Sequence, residues 1–380
     1  MSELVQKNDN HANARWLLLT SASALALAAG TASVAIAADA DRPQVWIELG
    51  GQLNRLDGGN ERFSPDLMSD RPEMFSPSVL FERGPRHSFD EFGQLTFQPN
   101  NSEWSFAASV RFGRASSNRH VRQQTYPNPH VKYVGTGQFT EYPRAARFAD
   151  TVSREAEQRL IVDFQVGKDV GIGLFNSQER TSTVSLGIRF AQFTSKSDVA
   201  LQSNPDWHFK YYTYGNVQYV IGQPYHSNFA NLAAKRSFHG LGPSLSFKST
   251  IPVAGNGQDS ELTVDWGLNA AMLFGKQKAR IHHQATGWYQ YGGFFDFSNI
   301  PPRQLIYQPP PVNAVRSKSV TVPNVGAFAG LSFRYDAAKV SFGYRADFFF
   351  GAMDGGINAR KSSDRNFYGP FASVSIGLGE

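Results

Sequence analysis

The side chains of this 380-residue sequence that could do chemistry are ionisable groups set among apolar neighbours at a two-residue spacing. On one parity stand Arg111, Arg189, Arg236, Lys248, Arg334, Lys339 and Arg345, together with Glu48, Asp163, Asp265 and Asp347. Successive strand residues point to opposite sides, so a shared parity means a shared wall. A wall with cations in excess suits the lining of a solute passage. Paired into salt bridges, the same groups fill and stiffen a narrow barrel. The residues leave both readings open, and the candidate lining set is Arg111, Asp163, Arg189, Asp265, Arg334, Lys339, Arg345 and Asp347.

Signatures of catalysis and metal binding are sparse. There is no zincin pattern, no Gly-x-Ser-x-Gly elbow and no P-loop, since the stretch Gly267 to Lys276 has the wrong glycine spacing. The adjacent pair His282-His283 would project to opposite sides of a strand and so not chelate one ion. His239 reads as a hydrogen-bonded structural histidine facing the interior. The sequence has no cysteine, which removes disulfides, Cys-zinc sites, iron-sulfur clusters and thiol nucleophiles. The expectation is no cofactor, no metal and no enzymatic activity. A barrel hydrolase is the rival, with His226, His282, His283 and Asp296 in the connections; nothing in one dimension brings them together.

The elements that must position these groups are alternating strands. In Trp104 to Phe112, residues Trp104, Phe106, Ala108, Val110 and Phe112 share one face, and Ser105, Ala107, Ser109 and Arg111 the other. The pattern returns from Leu160, Val184, Leu262, Val340 and Ala372 onward. The stripe Leu262 to Phe274 is the longest, more than about 35 Å at 3.3 Å per residue, enough to cross a bilayer at a steep tilt. Runs at Val45 to Leu53, Leu241 to Phe247 and Val325 to Tyr335 join them, and Gly93 to Gln98 is the weakest of ten. Short links near 99–102, 169–180, 252–258 and 336–338 alternate with long ones near 57–90, 115–156, 197–233, 279–321 and 353–366. Aromatic segments Tyr211 to Tyr219 and Trp288 to Phe297 belong to the long links, either as an outer aromatic girdle or folded over the mouth. The pattern predicts an all-β transmembrane antiparallel up-and-down barrel of about ten strands (8–12) with short periplasmic turns and long extracellular loops.

Composition agrees. Glycine contributes 34 residues, aromatics 13% and charged residues 18%, below the roughly 25% charge of an ordinary soluble domain. No apolar run reaches about 18 residues, which excludes a bundle of transmembrane helices. The net charge of +5 comes from scattered Lys and Arg and forms no nucleic-acid footprint. Trp16 to Ala29 is an apolar run after Lys7 and Arg15, followed by Ala35-Ile36-Ala37 and Ala38. That order predicts a cleavable secretory signal over 1–37 and a single barrel domain over 38–380.

Four stretches carry a resemblance to a known family: Ser237 to Pro243 (SFHGLGP), Leu262 to Gly267 (LTVDWG), Val322 to Gly326 (VPNVG) and Val340 to Gly356 (VSFGYRADFFFGAMDGG). They resemble the Legionella-type major outer membrane protein family of pore-forming barrels, most clearly over 235–380 and more weakly over 104–171. The resemblance implies a barrel in the outer membrane of a Gram-negative bacterium with porin-like activity, and supplies no catalytic residues. One departure is the ending Gly377-Leu378-Gly379-Glu380, which lacks the terminal aromatic that barrel assembly machinery reads in many such proteins. The expected function is therefore passive diffusion of small hydrophilic solutes, with outer-membrane lipid, those solutes and the assembly machinery as partners, no nucleic acid, and a homo-oligomer left open. The alternative is a surface adhesin or structural barrel with a plugged lumen.

Overall fold

The structure, a computed structural model, describes residues 44–57, 85–100, 102–125, 130–134, 137–143, 147–170, 181–214, 217–221, 225–255, 260–291, 303–307, 311–355 and 362–378. The predicted signal over 1–37 lies outside them. In chain order the strands are β1 (Gln44–Asp57), β2 (His87–Gln98), β3 (Trp104–Thr125), β4 (His130–Val134), β5 (Gly137–Pro143), β6 (Arg147–Asp169) and β7 (Thr181–Tyr214). There follow β8 (Val217–Ile221), β9 (Tyr225–Gly255), β10 (Ser260–Tyr291), β11 (Arg303–Tyr307), β12 (Val312–Tyr335), β13 (Ala338–Asp354) and β14 (Ser362–Leu378). No helix occurs among the described residues.

Ten of these strands close a ring in the order β1-β2-β3-β6-β7-β9-β10-β12-β13-β14, and β14 pairs back onto β1 from Val45↔Leu378 to Asp57↔Asn366. Every pairing in the ring is antiparallel. Closure removes the unpaired edges that a ten-strand sheet would otherwise expose. The expected up-and-down barrel is therefore the observed one. β4, β5, β8 and β11 are short strands that pair at the end where the long connections lie, β5 and β8 on β7 and β11 on β10. We call that end the upper one.

The outer face of the lower half is apolar. Leu186, Ile188, Leu241, Leu245, Leu268, Phe274, Leu331 and Phe342 are exposed there, and Phe164 and Leu186 reach 62% and 65% exposure. The inner face of the same strands carries buried Ser, Asn, Asp and Arg. An apolar belt this continuous, with polarity inside, is a surface made for lipid. Glu91 interrupts it on β2, where the parity that carries Phe89 and Leu95 places its exposed side chain on the outer face. This carboxylate breaks the alternation, which is why β2 reads from sequence only from Gly93 while it begins at His87.

The long connections are shorter than the sequence predicts, because the wall continues well above the belt. β7 has 34 residues, β9 31 and β10 32, whereas a membrane crossing needs about 9–11. Above the belt the apolar parity inverts. On β7 it passes from Val184, Leu186, Ile188 and Phe190 outward to Phe193, Val199 and Leu201 inward. On β9 it passes from Leu245 and Leu241 outward to Phe238, Ala234, Leu232 and Ala230 inward. Water replaces lipid outside, so the apolar face turns to the interior, where Val199, Leu201, Ala230, Leu232, Ala234, Ala279 and Ile281 pack as one cluster. Tyr211–Tyr214 and Val217–Ile221, expected in a loop, belong to β7 and β8. Phe294, Phe295 and Phe297 lie outside the described residues.

Candidate functional site

The interior is the candidate site, and its lower part is ionic. Asp163 on β6 faces Arg189 on β7 directly across the ladder. Arg189 donates to both carboxylate oxygens at 2.6 and 3.1 Å, to Asn269 Oδ1 at 2.7 Å, and to Asn324 Oδ1. Arg111 on β3 reaches Asp347 on β13 at 2.5 Å. Lys339 Nζ and Ser332 Oγ both donate to Asp265 at 2.6 Å. Asp163, Arg189 and Asp347 are buried, where a carboxylate and a cation are tolerated only as a hydrogen-bonded pair, while the Lys339–Asp265 pair is part-exposed.

All eight predicted lining residues are on the inner parity. Six are consumed in three ion pairs: Arg111 with Asp347, Arg189 with Asp163, and Lys339 with Asp265. Arg334 lies near the lower rim, its guanidinium 5.6 Å from the Trp46 ring, and its Nε donates to the Asp336 carbonyl at 3.2 Å. Arg345 has no ion pair among the described residues; instead its guanidinium lies 5.1, 5.6 and 5.0 Å from the rings of Phe92, Phe328 and Phe371. Three negative ring faces hold the cation in place of a carboxylate. Within this set lies a cavity of about 70 Å³, lined by Arg111, Asp163, Arg189, Asn269, Lys248 and Arg345 together with Gln94, Ser109, Gln165 and Ser246.

Above the ionic layer the interior is crossed by an apolar one that sequence reading missed. Phe193 on β7 lies 5.9 Å from Phe238, 4.8 Å from Phe349 and 5.6 Å from Phe367, centroid to centroid. Leu273, Val322, Ala352 and Met353 belong to the same cluster, along with Ile161, Ala191 and Ala271. β7 and β14 are five strands apart in a ring of ten, so the Phe193–Phe367 contact joins diametrically opposite walls. The parity inversion was the signal for this layer, since Phe193 and Phe238 stand on the polar face of their strands.

Local backbone features make this packing fit. Arg159 donates to both oxygens of Asp90, to Oδ2 at 2.5 Å, and its guanidinium covers the Phe367 ring at 4.1 Å. Gly113 leaves the space: a Cβ there would run into the Asp90 carboxylate and Arg159 Nε. On β13, Gly351 at φ +66° marks a break in register between Phe349 and Met353, a backbone conformation that suits glycine. Its N–H donates to Asp364 at 2.7 Å and its carbonyl accepts from Gln277 at 2.5 Å. The bulge brings Phe349, Ala352, Met353 and Asp354 together inside. Arg316 pairs with Asp354, and Arg365 approaches Glu157 at 3.4 Å, so a second ionic layer tops the phenyl layer.

The histidines do not converge. His239 is a correction: it is exposed on the outer face, on the parity of Leu241 and Leu245, because the flanking Gly240 and Gly242 occupy the inward positions. His282 is exposed and its Nδ1 lies 2.7 Å from Asn313 Oδ1. His283 is on the opposite face, and burial, helped by the neighbouring His282, pushes its imidazole below the usual histidine range. The His226 side chain and Asp296 lie outside the described residues. Among the described residues one histidine pairs with a carboxylate, His120 with Asp150 on the outer wall, and no group could hold a metal ion.

No protein-family model and no curated protein matches the chain. Similar solved structures are outer-membrane barrels. The outer membrane protease OmpT from Escherichia coli is 10% identical, with 90% of this chain and 99% of that one covered and a TM-score of 0.32. The TodX monoaromatic hydrocarbon channel deltaS2 mutant is 8% identical, with coverage of 89% and 90% and a TM-score of 0.21. The transport unit of the autotransporter AIDA-I from Escherichia coli is 7% identical, with coverage of 88% and 90% and a TM-score of 0.23. The expectation of no enzymatic activity is corrected by this finding: a protease stands among the similar barrels, so that exclusion does not hold.

Proposed function

We propose that the chain is an outer-membrane barrel of a Gram-negative bacterium whose lumen is sealed by its own side chains. Its long strands act as a surface platform for attachment or structural support. The observation that carries this reading is the contact of Phe193 with Phe367 across the full width of the ring, between ionic layers below and above. Passive diffusion needs a continuous wet path, and side chains that meet from opposite walls interrupt it. The resemblance to the Legionella-type major outer membrane protein family fits the barrel, while the filled interior speaks for the plugged alternative over its pore-forming activity.

Planar-bilayer recording on the purified, folded protein tests this. The expected trace is flat, with insertion verified by heat-modifiable gel migration. Stepwise conductance from wild type would overturn the sealed reading. On cells, removal of residues 292–302 is expected to lower attachment while leaving uptake of small solutes unchanged.

A further inference from the structure

The outer wall directly above the apolar belt carries a cluster of cations. On β7, β9 and β10 the belt ends at Phe190, Leu241 and Phe274, which lie in one cross-strand row. Six residues higher, Lys196 pairs in register with Lys235, and Lys235 with Arg280. Lys276 and Lys278 fill the interval on β10, and all five side chains are exposed. None has an ion pair or hydrogen bond among the described residues. Between Phe190 and Gln202 on β7, and on the facing stretches Phe229–His239 of β9 and Lys276–Gln284 of β10, Asp198 is the one carboxylate on this face.

Like charges directly opposite on neighbouring strands destabilise a sheet. A three-cation row therefore persists where something anionic sits between its members. Height identifies the anion. At 3.3 Å per residue and a tilt of 35–45°, Lys276 and Lys278 stand about 5–10 Å above the belt and the three-cation row about 15 Å above it. A phospholipid headgroup layer is only about 5–8 Å deep. Its phosphates meet the lower pair of lysines and fall short of the upper row.

We infer that this face binds a glycolipid of the outer leaflet that carries several phosphates on a tall sugar headgroup, with Lys276 and Lys278 on the lower phosphates and Lys196, Lys235 and Arg280 on the upper ones. Lysine and arginine stems lie along the wall while their charged heads reach the phosphates. The site is on the outer surface and does not depend on whether the lumen conducts.

The test uses the full chain folded in detergent, titrated with purified lipopolysaccharide, phosphatidylglycerol and inorganic phosphate, with bound ligand read by native mass spectrometry. Lys196→Gln/Lys235→Gln/Arg280→Gln is expected to weaken lipopolysaccharide binding about a hundredfold, taking roughly fivefold per cation. Lys196→Arg/Lys235→Arg keeps the charge and is expected to retain binding. Asp198→Asn removes the opposing carboxylate and is expected to tighten binding severalfold, an effect that loss of folding cannot mimic. Unchanged lipopolysaccharide binding by the folded triple variant overturns the inference. So does equal binding of phosphatidylglycerol, or displacement of the glycolipid by inorganic phosphate at equal concentration.

Discussion

Arg189 gathers Asp163, Asn269 and Asn324 from three other strands, so its neighbourhood is the place to weigh the interior chemistry. A buried ion pair is weak as net stabilisation, yet removing one partner strands a charge and costs about 3–5 kcal/mol. Asp163→Ala is therefore expected to lower unfolding free energy by about that amount in urea titrations of the folded barrel in lipid vesicles. Asp163→Leu with Arg189→Met is expected to cost less than the single change, because both charges leave together. A single variant milder than the double would contradict this account. The inward placement of both residues was legible from parity alone. Their pairing was not, because parity names a wall and says nothing about which residues meet across it.

Strands and turns obey local rules, and the tight turn between β12 and β13 shows them in a simple form. Tyr335 pairs with Ala338, leaving Asp336 and Ala337 as a two-residue link with Asp336 at φ +52°. A positive φ at the first position suits glycine, is tolerated by aspartate and opposes a β-branched side chain. Asp336→Gly is expected to preserve or raise stability, while Asp336→Val is expected to lower it by about 1–2 kcal/mol, as read by the urea midpoint at unchanged m. Equal midpoints for the two variants would count against the turn assignment. Sequence reading located this turn, yet it ended β7 and β10 too early and began β9 too late. It sought apolar residues on one fixed parity, and that parity reverses where the solvent changes.

The whole molecule is a wall with two environments outside and a stack of layers within. In the sealed barrel proposed above the phenyl layer is the seal, since the ion pairs alone leave room for water between polar groups. Phe193→Ala/Phe349→Ala/Phe367→Ala is expected to convert a silent barrel into one that gives conductance steps in planar bilayers, while retaining heat-modifiable migration. A triple variant that folds and stays silent would place the seal elsewhere. The ion pairs also explain why the +5 charge does not translate into an open cationic lumen: six of the eight predicted lining charges cancel in pairs beneath the rings.

By itself the sequence determined the closed all-β class, the lipid-facing belt and the inward direction of the lining charges, because alternation is a local property and lipid enforces it residue by residue. Only the tertiary structure shows phenyl rings from opposite walls meeting across the lumen. Whether Phe193 touches Phe367 depends on ring diameter, and on closure bringing face to face two strands that lie far apart in the chain. The register of the adjacent strands β7, β9 and β10 sets Lys196, Lys235 and Arg280 side by side, a row that the spacing of these residues along the chain does not reveal.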